Sequence, residues 1–109
     1  MCLVVLLMTT NAAKSSENEL AEICDAIHYI GDMSLEAAAS GFSRDDMILA
    51  VRMNTEGGDP DILAILHPAF DRIIEFAFFN NRFGLSDAAQ RECQVVEQLL
   101  FELVEKESE

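Results

Sequence analysis

The apolar residues of this chain recur every three or four positions, and the recurrence stops wherever glycine, proline or a capping residue stands. That period places them along one face of a helix, whereas a half-buried strand needs strict alternation, which no stretch provides convincingly. The sequence therefore predicts an all-α fold, a compact bundle of about five to six helices with no sheet. After the polar stretch 9–15, Ser16-Glu17-Asn18-Glu19 matches a capping box, in which a hydroxyl and a carboxylate each satisfy a free amide at a helix start. Leu20, Ile23, Cys24, Ile27 and Ile30 follow at helical spacing, and Gly31 stands where a C-terminal cap belongs. Ser34 is expected to open a short Ala-rich helix over 35–40, which Gly41 ends.

Ser43 with Asp46 reads as the cap of a third helix, whose Met47, Ala50 and Val51 form a stripe toward Asn54. The stretch Thr55-Glu-Gly-Gly-Asp59 is a loop, and Asp59-Pro60 supplies an N-cap followed by proline at the first helical position. Pro68 lacks an amide hydrogen and crowds the preceding turn, so a break or kink is expected between 61–66 and 69–82. Gly84 closes the fifth helix and Ser86 caps the sixth, whose Ala89, Cys93, Val96, Leu99, Leu100 and Leu103 form its buried face. Length limits the chain to one core: of 109 residues, 1–15 read as an apolar and polar N-terminal extension and 16–109 as a single helical domain.

The opening Met1-Cys-Leu-Val-Val-Leu-Leu-Met8 lacks the basic start of a secretory signal and is too short to span a bilayer. It reads as a terminal strand or helix turn, or as sequence upstream of a start at Met8; export with cleavage near Ala12 and Ala13 is the alternative. Three cysteines, Cys2, Cys24 and Cys93, are an odd number without paired spacing, which argues against a disulfide framework and for a reducing compartment, the cytoplasm.

Charge narrows the choice of partners. Seven Lys and Arg against 20 Asp and Glu give a net charge of −13, which disfavours unaided contact with nucleic acid or anionic lipid and favours a basic protein surface. No membrane association is expected. Chemistry-bearing motifs are sparse: there is no Gly-rich phosphate loop, no Gly-x-Ser-x-Gly and no His-Glu-x-x-His. Cys24 and Asp25 stand four and three positions before His28, so each pair can converge on a helix face, yet two ligands do not make a metal site and His67 and Cys93 add no paired partner. Neither enzymatic activity nor a cofactor is expected, and a small metal- or cysteine-dependent enzyme is the third reading.

The segment from Ala37 to Val51, AAASGFSRDDMILAV, resembles the helix-turn-helix pattern of bacterial repressors: Ala37 takes the small position, Gly41 the turn, and Phe42 and Met47 the buried positions. The resemblance implies DNA reading by the second helix, making a helix-turn-helix transcriptional regulator the alternative function. It departs from the family at the start of that helix, where Asp45 and Asp46 accompany Arg44 and would oppose phosphates.

The leading expectation is a small acidic protein that binds and modulates a partner with a basic surface, for instance a nucleic-acid-binding protein, in the manner of an inhibitor, an antitoxin-like or immunity-like protein, or a phage or plasmid accessory factor. Tyr29, opposite the core stripe of the first helix near Glu22 and Asp25, and Phe101, on the acidic side of the last, are the candidate partner-binding residues. A second aromatic stripe, Phe76, Phe79 and Phe83, predicts a homodimer, with Leu49 and Met53 as further interface candidates.

Overall fold

A computed structural model describes residues 12–80 and 82–108, with side chains described from 20 to 80 and from 82 to 106. The opening apolar segment lies outside the described residues. The described residues form four helices and no strand: α1 (Ala12–Ala39), α2 (Arg44–Asn54), α3 (Pro60–Asn80) and α4 (Leu85–Ser108). The all-α class is as expected, and the helix count is lower because two expected interruptions are spanned.

The first is at Gly31 and Ser34, where α1 continues without a break. Gly31 is buried, and a Cβ there would lie 3.4 Å from Ile73 and 3.4 Å from Leu85, so α3 and α4 pack directly over it with room for little more than a methyl group. Glycine costs a helix about 1 kcal/mol relative to alanine, less than the burial of one large aliphatic side chain returns. Ser34 is fully buried and caps nothing; its hydroxyl donates to the Ile30 carbonyl at 2.7 Å, one turn back, which satisfies it inside the helix. The helix is already formed at Ala12, the first described residue, so Ser16 is an interior residue and not the N-cap.

The second is at Pro68, which lies inside α3. Pro68 and Ala64, the residue whose carbonyl loses its amide partner, are both exposed, so water can take that carbonyl. On the other side Leu66, Ala69, Phe70, Ile73, Ile74 and Ala77 are buried, and their packing holds the helix together through the proline.

The remaining ends follow the sequence closely. Ser43 and Asp46 form the capping box of α2: the Ser43 hydroxyl accepts from the Asp46 amide at 3.1 Å and the Asp46 carboxylate from the Ser43 amide at 3.0 Å. Asp59 accepts from the Asp61 amide at 2.9 Å, ahead of Pro60. Ser86 does not cap α4, which starts one residue earlier: the Gly84 carbonyl receives the Ala88 amide at 2.9 Å and Ser86 falls in the first turn.

Helices α1, α3 and α4 pack against one another, and α2 lies mainly on α3. Ile27, Ile73, Ile74 and Val96, one or two from each of the three central helices, are the largest fully buried apolar side chains. Arginines fasten the rim. Arg52 grips Asp71 through two bonds of 3.1 and 2.7 Å, Arg44 reaches Glu75 at 3.4 Å, and Arg72 joins Glu92 at 2.7 Å. The first two pairings run α2 antiparallel to α3, and the third joins α3 to α4.

Candidate partner-binding surface

Because Ile27, Gly31 and Ser34 turn inward, the opposite side of α1 is left to solvent. Tyr29 stands there 63% exposed, among the exposed carboxylates of Glu22, Asp25, Asp32 and Glu36. Met33, one turn beyond Tyr29, is also exposed. No Lys or Arg occurs between Lys14 and Arg44, so this run of acids has no basic residue of its own.

At its C-terminal end α1 closes with a Schellman turn. Gly41, at φ 91°, adopts the left-handed conformation that a side chain would strain, and the Phe42 amide reaches back to the Ala37 carbonyl at 3.0 Å while the Gly41 amide reaches Ala38 at 3.2 Å. The reversal carries Phe42 back toward α1 and sets α2 beside it. Between the helices lies a groove of about 520 Å³, lined by Met33, Ala37, Phe42, Met47 and Ala50, with Ser40, Glu36 and Asp46 adding polar groups. Phe42 is 59% exposed, a correction to the buried position the repressor-like pattern assigned it. Two hydrogen bonds from Ser43, backbone first and hydroxyl second, hold the Asp46 carboxyl below its ordinary value, so this edge stays ionised.

Of the residues singled out in the sequence, Tyr29, Glu22 and Asp25 share the exposed face of α1. Phe101 is 60% exposed on α4, outside the groove. Of the groove residues, Ala37, Phe42, Met47 and Ala50 were legible only as packing positions and Met33 not at all; the available signal was an aromatic residue directly after a helix-ending glycine, where a Schellman turn places its apolar contact. Phe79 and Phe83 are 71% and 88% exposed, whereas Phe76 is half-buried against the core, near Gly84, and so already serves the monomer. Leu49 and Met53 are exposed on the side of α2 away from Val51.

The other polar groupings are less open to a macromolecule. A cleft of about 260 Å³ between α1 and the α3–α4 turn is lined by His28, Asp32, Arg82 and Ser86 with apolar neighbours. No three His, Cys, Asp or Glu side chains among the described residues are arranged to hold a metal ion. Cys93 is buried and its thiol is pushed up to about 12, first by that burial and then by the hydrogen bond and charge of Cys24, so it stays protonated at neutral pH. His67 bonds Thr55 on the α2–α3 side. Arg44 in the first turn of α2 and Arg52 in its last turn are both engaged by carboxylates of α3. No helix among the described residues is long and apolar enough to cross a membrane.

Family models, curated proteins and solved structures were all compared with the chain. None matches.

Proposed function

We propose that this protein binds and modulates a partner protein bearing a basic and apolar surface, through the exposed face of α1 and the groove between α1 and α2. The observation that carries this is the coincidence of two features on one surface: an apolar groove and a run of carboxylates without an intervening cation. Apolar side chains such as Phe42 and Met33 supply burial, and the acids steer and orient a basic partner. A nucleic-acid-binding protein is the favoured kind of partner, since the carboxylates would occupy the place of phosphates. Direct DNA reading by α2 is the less favoured function, because Asp45 is exposed at its start and Arg44 and Arg52 are already engaged.

The test uses an amphipathic helical peptide with Leu at one-turn spacing and Lys elsewhere, measured by calorimetry. Binding should weaken as salt is raised, and Phe42→Ala should cost about 1–2 kcal/mol, or about five- to thirtyfold in Kd, while Phe101→Ala leaves it unchanged. A loss on Phe101→Ala alone would move the site to α4. Equal affinity for all three proteins would reduce the interaction to unspecific charge and overturn the reading.

The exposed pair Phe79 and Phe83 favours a second, separate contact, a homodimer. Single exposed aromatics are common, but Phe79 in the last turn of α3 and Phe83 in the turn that follows are two large apolar side chains left for a second copy to cover.

A further inference from the structure

We infer that Cys24 and Cys93 are a reversible dithiol–disulfide pair that ties α1 to α4 when the protein meets an oxidising small disulfide. The two helices are in contact at Gly31, with Leu85 of α4 3.4 and 3.5 Å from the position a Cβ would take. From that point Cys24 lies seven residues back along α1 and Cys93 eight residues forward along α4. At ~1.5 Å per residue these are steps of ~10.5 and ~12 Å along antiparallel helices, so the two cysteines fall opposite each other. The side chains agree with that register: Cys93 belongs to the buried apolar cluster and Cys24 is packed against it, near enough to raise the Cys93 thiol. Forming the bond brings the two sulfurs to about 2.05 Å.

The two cysteines differ in access, which sets the order of events. Cys24 is part-exposed and Cys93 is 2% exposed, so an external disulfide meets Cys24 first. The Cys24 thiolate attacks one sulfur of the small disulfide, forming a mixed disulfide and releasing one small thiolate, which takes a proton from solvent. Cys93 then gives its proton to water, attacks the Cys24 sulfur and releases the second small thiolate. The protein has lost two hydrogens and two electrons, and one small disulfide has become two small thiols.

The experiment uses the full chain carrying Cys2→Ser, incubated natively with graded ratios of oxidised to reduced glutathione, quenched with an alkylating reagent and read by intact mass and peptide mapping. The expected product has lost the mass of two hydrogens, takes up no alkylating reagent, yields a linked Cys24–Cys93 peptide, and forms to an extent independent of protein concentration. In Cys93→Ala the same treatment should leave a lasting glutathione adduct on Cys24. An adduct that persists on Cys24 while Cys93 is present, or two thiols that remain alkylatable throughout, would overturn the inference. So would a link that forms only in denaturant, because the folded contact would then not be its cause.

Discussion

His67 sits where α3 faces the end of α2, its Nε2 2.8 Å from the Thr55 hydroxyl. The same hydroxyl lies 3.0 Å from the Val51 carbonyl, to which it donates. Burial first, and the nearby Arg52 second, hold the imidazole below its ordinary 6.5, with Asp71 pulling the other way. The unfolded chain thus takes up this proton at higher pH than the folded one. The resulting stability is complete above about pH 6.5 and is lost as the pH falls through the folded value. Between pH 7 and 5 the denaturant midpoint of the wild type should therefore fall more than that of His67→Gln. Parallel profiles would show that the ring is equally free to ionise in both states. At this scale Ser43, Asp46 and Asp59 could be assigned from sequence, because a cap acts within three residues. The Thr55–His67 and Arg52–Asp71 contacts could not, since 12 and 19 residues separate their partners.

Among the elements, α1 shows how packing overrules a local stop signal. Gly31 reads as a cap, yet it is buried in mid-helix because Ile73 and Leu85 pack over it, at contact distance from where a Cβ would stand. Gly31→Val should lower stability by about 1–3 kcal/mol, since its branches would push into both neighbours, whereas Gly31→Ala should stay within about 1 kcal/mol as its gain in helix propensity offsets the tighter contact. Thermal or denaturant unfolding followed by circular dichroism separates the two. A Gly31→Val protein as stable as Gly31→Ala would mean that α3 and α4 do not hold α1 closely at this point. Pro68 gives the same lesson on α3, its exposed ring leaving the buried side of the helix uninterrupted.

For the whole molecule, charge and apolar surface act in opposite directions. A net charge of −13 on each copy repels a second copy, so self-association through Phe79 and Phe83 should tighten as salt is raised, while binding of a basic partner should weaken. Sedimentation of the wild type should give a dimer at tens of micromolar, about the range of a weak interface, and Phe79→Glu a folded monomer. Because Phe79 is largely exposed, the substitution should leave the helical spectrum unchanged. A monomeric wild type would return the aromatic pair to ordinary solvent-exposed surface. The salt series also keeps this surface apart from the α1–α2 groove, whose occupant responds with the other sign.

Sequence alone determined the helical class, most helix boundaries and the acidity of the surface, because periodicity, caps and formal charge are properties of residues a few positions apart. It also put Tyr29, Glu22 and Asp25 on one side of α1, since a helix orders its faces by spacing alone. Tertiary structure decided the rest: that Gly31 and Ser34 are interior, that α3 runs through Pro68, that Phe42 helps line a groove and that Cys24 meets Cys93. Each of these depends on which helices become neighbours. That choice rests on the summed burial of residues such as Ile27, Ile73, Ile74 and Val96, dispersed along the chain, and no local spacing encodes it.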